Sequence, residues 1–176
     1  MSPVYAFILP HAAPFAAVLA RLSGMFLFAP LLASQAVPAR LKAVMALALA
    51  LVVYPTIDHS GWAPARLDLT TLIPVVVGEL AIGGVIGFIA SLPFLGAQIG
   101  GLITTQQMGM GLADVFNPAA DASLDTIGQF LYFMAITIFL TIGGMEALFG
   151  AVVNSFDALA LGGMAIGDAP LAVVRL

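Results

Sequence analysis

Between Glu79 and Asp114 no residue carries a charge. This run is far longer than the roughly 20 apolar residues that one helical membrane crossing needs. In water it would have to be buried whole or would drive aggregation. Composition agrees: 62% of the chain is hydrophobic and 8% charged, against about half and about a quarter in soluble domains. The chain therefore reads as a polytopic membrane protein. Backbone polar groups in hydrocarbon must be satisfied internally, which leaves helices or a closed barrel. No alternating strand pattern supports a barrel, so the fold class expected is all-α, in a single membrane domain over residues 1–176.

Breaker residues divide the chain into about five to six hydrophobic helices. The first apolar segment is 12–33, with Arg21 near its middle, and "SQAVPARLK" ends it. The second runs over 41–57, followed by the polar turn "DHSGWAPARLD". A third is expected over 69–92, stopped by Pro93, because proline disfavours helix at the residue before it. A fourth, 94–113, carries glycines, threonines and the amides Gln106 and Gln107. It is too polar to face lipid comfortably, and the apolar join Leu92–Pro93–Phe94 suggests a helical hairpin packed inside protein. The fifth covers 127–149 and a weaker sixth 151–166. Asn117–Pro118 signals a turn, with Asp121 or Ser123 as N-cap of the fifth helix.

The remaining residue classes exclude much. With no cysteine, disulfides, thiolate metal sites and Cys nucleophiles are absent. The start "MSPVYAFILPHAAPF" lacks a basic region and holds three prolines, so it does not read as a cleavable signal peptide. Nothing between Arg66 and Arg175 is basic, which argues against nucleic acid as a partner, since phosphate neutralisation needs clustered cations. His11 and His59 have no acidic or histidine companion at ligand spacing, and no catalytic motif is present. Arg40 and Lys42 favour a cytoplasmic 33–42 turn.

Three groups of residues stand out. Glu79, Gly83 and Gly87 are four apart and share a helix face. The glycines let another backbone come close, and Gly96 and Gly100 repeat the spacing. An acid and a base inside apolar segments are costly and need partners. Arg21, on a face with Gly24 and Phe28, can pair with Glu79, contact carbonyls or reach another subunit. Met108 and Met110 flank Gly109, and unbranched Met fits either a loosely packed core or a deformable seal.

The order "RLSG" with Pro30, "VPARLK", "GELAIGGVIGF", "GGLITTQQMGMGLADVFNP" and "FLTIGGMEALFGAVVNSF" resembles the SctT/FliR family of type III protein export gates, over about residues 10–156. The resemblance implies a subunit that assembles with FliP-like and FliQ-like partners into a helical gate and engages an FlhB-like protein. Unfolded substrates pass through it, no cofactor is used, and the gate sits in the bacterial inner membrane at the flagellar or injectisome base. In such a gate helices pack as hairpins outside the ordinary bilayer, which weakens the charge-based orientation. It also implies a pore plug after the "QMG" motif, which here takes in Gln107, Met108, Gly109, Met110, Leu112 and Phe116. Three departures appear. Leu112 stands where some members carry an aromatic, leaving Leu112 or Phe116 as the sealing residue. Gly144–Met145–Glu146 replaces an Asn-Gly-His found in many members. The chain stops at "LAVVRL", inside what reads as another apolar segment, so an incomplete C-terminal end is expected. "VPARLKAVMALALALVVYP" is more similar to flagellar members than to injectisome ones. A secondary transporter of a small solute, with Arg21 and Glu79 near a midplane site, is the rival reading; no internal repeat supports it.

Overall fold

Pro93, placed at the end of a helix by its local chemistry, lies inside one. The computed structural model describes residues 3–34, 37–57, 69–109 and 126–163. Among them lie α1 (Pro3–Phe28), α2 (Ala39–Val53), α3 (Leu69–Gln107), α4 (Thr126–Thr141) and α5 (Gly144–Ala158). A short 3₁₀ turn, Tyr54–Thr56, extends α2. No strand occurs among the described residues, and the all-α class stands. Among the described residues, three helices are long and apolar enough to cross a membrane, giving three spans, or four if α4 and α5 together count as one broken span.

The unbroken α3 corrects the expected hairpin at Leu92–Pro93–Phe94. It holds 39 residues, a contour of about 58 Å at ~1.5 Å per residue. Breaking a helix leaves up to four C=O groups at the end of the first piece and four N–H groups at the start of the next without helical partners, all costly in an apolar setting. Continuing through proline forfeits one N–H···O=C bond and adds a local clash, and here that smaller penalty is accepted. The same balance carries α1 through Pro10 and Pro14, so α1 starts well before the expected Ala12.

Contacts divide the chain into two units, Met1–Ile89 with Leu148–Leu176, and Ala90–Ala147. In the first unit α1 and α2 form an antiparallel hairpin. Ala46, Ala50 and Val53 recur at helical spacing on the buried face of α2. Its far end meets α1 at His11 and Phe15: Phe15 and Tyr54 stack edge-to-face at 5.6 Å and the Tyr54 hydroxyl lies 2.9 Å from His11 Nδ1. The near end is closed by Lys42, whose Nζ donates to the Ser34 carbonyl at 2.9 Å. Between them Leu31 adopts a φ of +68°, a region β-carbon sterics disfavour.

α1 and α3 run parallel and touch backbone to backbone. A Cβ on Gly24 would overlap the Leu80 carbonyl, one on Gly83 the Arg21 carbonyl, and one on Gly87 would press on the Met25 carbonyl. Removing side chains at these points lets the two helices meet by direct van der Waals contact. Phe28 and Phe88 close the end of this seam, ring centroids 6.0 Å apart.

In the second unit the latter part of α3 runs antiparallel to α4. Phe94 is buried against Tyr132 and Phe139, at 6.3 Å and 5.2 Å between ring centroids. Further along, a Cβ on Gly101 would overlap Gly128. Buried Thr105 satisfies its hydroxyl on the Gly101 carbonyl at 3.0 Å. Gly96 and Gly100, expected to mark close packing, are exposed, and a Cβ on either would meet nothing within 4 Å among the described residues. They lie on the side of α3 roughly opposite Phe94 and Gly101, so no element of that unit among the described residues covers them. α4 ends at Thr141, and Gly143, φ +78°, separates it from α5.

Candidate functional site

The two charges that sit inside apolar segments meet. α1 delivers Arg21 and α3 delivers Glu79 to the same point because Gly24 and Gly83 bring the two backbones together there. Arg21 Nε donates to Glu79 Oε2 at 2.5 Å, with the side chains 0% and 2% exposed. The rest of the guanidinium is also engaged. Nη1 donates to Ser155 Oγ at 3.0 Å and Nη2 to the Leu159 carbonyl at 3.0 Å. The Phe156 ring packs under the guanidinium carbon at 4.0 Å, a cation–π contact strengthened by desolvation. Glu79 Oε1 accepts the backbone N–H of Gly162 at 2.8 Å. The Ser155 hydroxyl itself donates to the Val152 carbonyl at 2.6 Å.

Arg21 thus has both an acid and a carbonyl as partners, two possibilities that spacing alone left open. Ser155, Phe156, Leu159 and Gly162 were not singled out from the sequence as its partners. The signal was faint: Ser155 and Leu159 are one helical turn apart, and the paired glycines 162–163 mark a turn. The network is saturated, since no buried side-chain nitrogen or oxygen among the described residues lacks a partner. A solute would have to displace protein groups to bind these two charges, a poor basis for a transport site.

The second candidate region begins where α3 stops. Gln107 is its last residue. Met108 N–H donates to the Thr104 carbonyl and Gly109 N–H to the Gln106 carbonyl, both at 3.0 Å. Gly109 has φ +75°, the left-handed C-terminal cap that glycine reaches without a Cβ penalty. Gln106, Gln107 and Met108 are exposed, Met108 by 64%. Met110, Leu112 and Phe116, the Asn117–Pro118 turn, the two N-cap candidates and His59 lie outside the described residues.

Elsewhere, Glu146 is exposed in the first turn of α5, where a carboxylate suits the helix N-terminus. No group of three or more His, Asp or Glu able to hold a metal occurs among the described residues.

Comparison with known proteins places this architecture. The family model described as "Bacterial export proteins, family 1" matches residues 12–175. The chain is 30% identical over 140 residues to the Yop proteins translocation protein T of Yersinia pestis, covering 79% of this chain and 53% of that protein. It is 30% identical over 148 residues to the flagellar biosynthetic protein FliR of Bacillus subtilis, covering 84% and 56%. It is 28% identical over 138 residues to the surface presentation of antigens protein SpaR of Salmonella typhimurium, covering 78% and 51%. The chain spans about half the length of the curated relatives it matches. Flagellar and translocation relatives match at the same identity, so these comparisons do not single out the flagellar members. A match over nearly the whole chain assigns it to the bacterial export proteins of family 1.

Proposed function

We propose that the chain is a wall-forming subunit of a type III protein export gate, through which unfolded substrates leave the cell. The observation that carries this reading is the family match over residues 12–175, with relatives named for flagellar biosynthesis and for protein translocation. In the proposed setting the chain assembles with FliP-like, FliQ-like and FlhB-like proteins in the bacterial inner membrane, at the base of a flagellum or an injectisome. Its role is structural, with neither catalysis nor a cofactor.

The second unit supports this reading. Leu92, Gly96, Ile99, Gly100, Ile103 and Gln107 are all exposed on the side of α3 away from α4. Small and amide residues among aliphatic ones suit a protein neighbour better than lipid, because small residues permit close approach and amides need partners. The segment from Gln107 through Met108, Gly109, Met110 and Leu112 to Phe116 is the proposed constriction, with flexible Met side chains as its deformable part.

Co-expression with the neighbouring FliP-like and FliQ-like genes, followed by affinity purification of a tagged chain, tests the reading. A stable complex containing the FliP-like protein is expected. Purification as a lone monomer, with both partners present in the membrane, would overturn it.

A further inference from the structure

The Arg21–Glu79 network does more than neutralise two charges. Four of its groups, Ser155, Phe156, Leu159 and Gly162, come from the end of α5 and the turn behind it. We propose that Arg21 and Glu79 form a lock that fixes where the chain leaves α5, holding the 159–162 turn on the α1–α3 seam.

The geometry fits a lock in three respects. First, the partners are complementary in kind. The Leu159 carbonyl lies just past the last residue of α5, where helices leave acceptors without donors, and the guanidinium is a cation at the negative end of the helix dipole. Gly162 offers a spare N–H beyond the helix, and the carboxylate accepts it. Second, the device needs a fork. Nε, Nη1 and Nη2 address three different groups at once, which a planar guanidinium does and an ammonium on a flexible stem does not. Third, the anchor is stiff: the Arg21 and Gly83 backbones are in direct contact, so the side chain starts from a fixed point. Gly162 itself has φ +78°, a conformation that holds its N–H toward Glu79 without a Cβ penalty. The proposal concerns α1, α3 and α5 alone and stands independently of what the assembled protein exports.

The absence of native cysteine makes spin labelling clean. Labels at Ala48→Cys on α2 and Ala160→Cys in the turn, both exposed, report the turn; labels at Ala12→Cys and Ala48→Cys report the α1–α2 hairpin. In the purified chain, Arg21→Lys keeps the charge and removes the fork. The 48–160 distance distribution should at least double in width while the 12–48 distribution stays as in the parent. Ser155→Ala, which leaves the ion pair intact, should broaden 48–160 by about half and decides the matter if the lysine variant does not fold. An unchanged 48–160 width in the variants that fold, or equal broadening of both pairs, would overturn the lock.

Discussion

The backbone carbonyl of Arg21 lies where a Cβ on Gly83 would have to sit. The residue that carries the buried cation is thus also one whose backbone α3 touches directly. Gly83→Ala should force α1 and α3 apart and cost about 1–3 kcal/mol or more, as overpacking does. Gly96→Ala, on the open side of α3, should be neutral or stabilising by about 0.5–1 kcal/mol in the isolated chain, since alanine is the better helix former. Thermal unfolding of the two variants in detergent checks the contrast, and equal shifts would count against the seam.

Glu79→Ala should destabilise by about 3–5 kcal/mol, because it strands a buried guanidinium. Glu79→Gln should cost less, since an amide oxygen still accepts from Gly162. Arg21→Met combined with Glu79→Leu should be milder than Glu79→Ala, because no buried charge is left unpaired. Exchanging the two charges should rescue little: Ser155, Phe156 and Leu159 are arranged for a guanidinium on α1, not on α3. Melting temperatures of the four variants decide the order, and a double variant worse than Glu79→Ala would contradict it.

The part of the site that was legible in the sequence is the part with a period. Glu79, Gly83 and Gly87 share a face at four-residue spacing, and an intramembrane Arg with one acid in reach invites a pair. The C-terminal half of the network was hidden because two of its groups are backbone atoms, the Leu159 carbonyl and the Gly162 N–H, and the polar atoms of a main chain leave no mark on composition. Pro93 misled for a different reason. Its local preference to stop a helix is real, but in so apolar a segment a helix end strands more polar groups than the proline itself removes. Gly96 and Gly100 share the spacing of Gly83 and Gly87 yet meet nothing among the described residues, since periodicity marks a face without saying which neighbour covers it.

The end of α3 bears on gating. If Gln107 to Phe116 forms the constriction, deleting Gly109–Phe116 removes the left-handed cap at Gly109 together with the proposed seal. The assembled gate should then leak small ions, seen as a raised conductance in planar bilayers or as salt sensitivity of cells carrying the variant. Conductance equal to the parent's would remove the constriction from this segment and leave the rest of the proposal in place.

In the proposed gate this chain lines the path of an exported protein. A photo-crosslinking amino acid at Met108, exposed at the end of α3, should form a covalent adduct with a secretion substrate stalled in the gate by a folded domain. The same group at Val52 on α2, 69% exposed, should give none. Adducts at Met108 with lipid alone, or substrate adducts of equal yield at both positions, would contradict the claim.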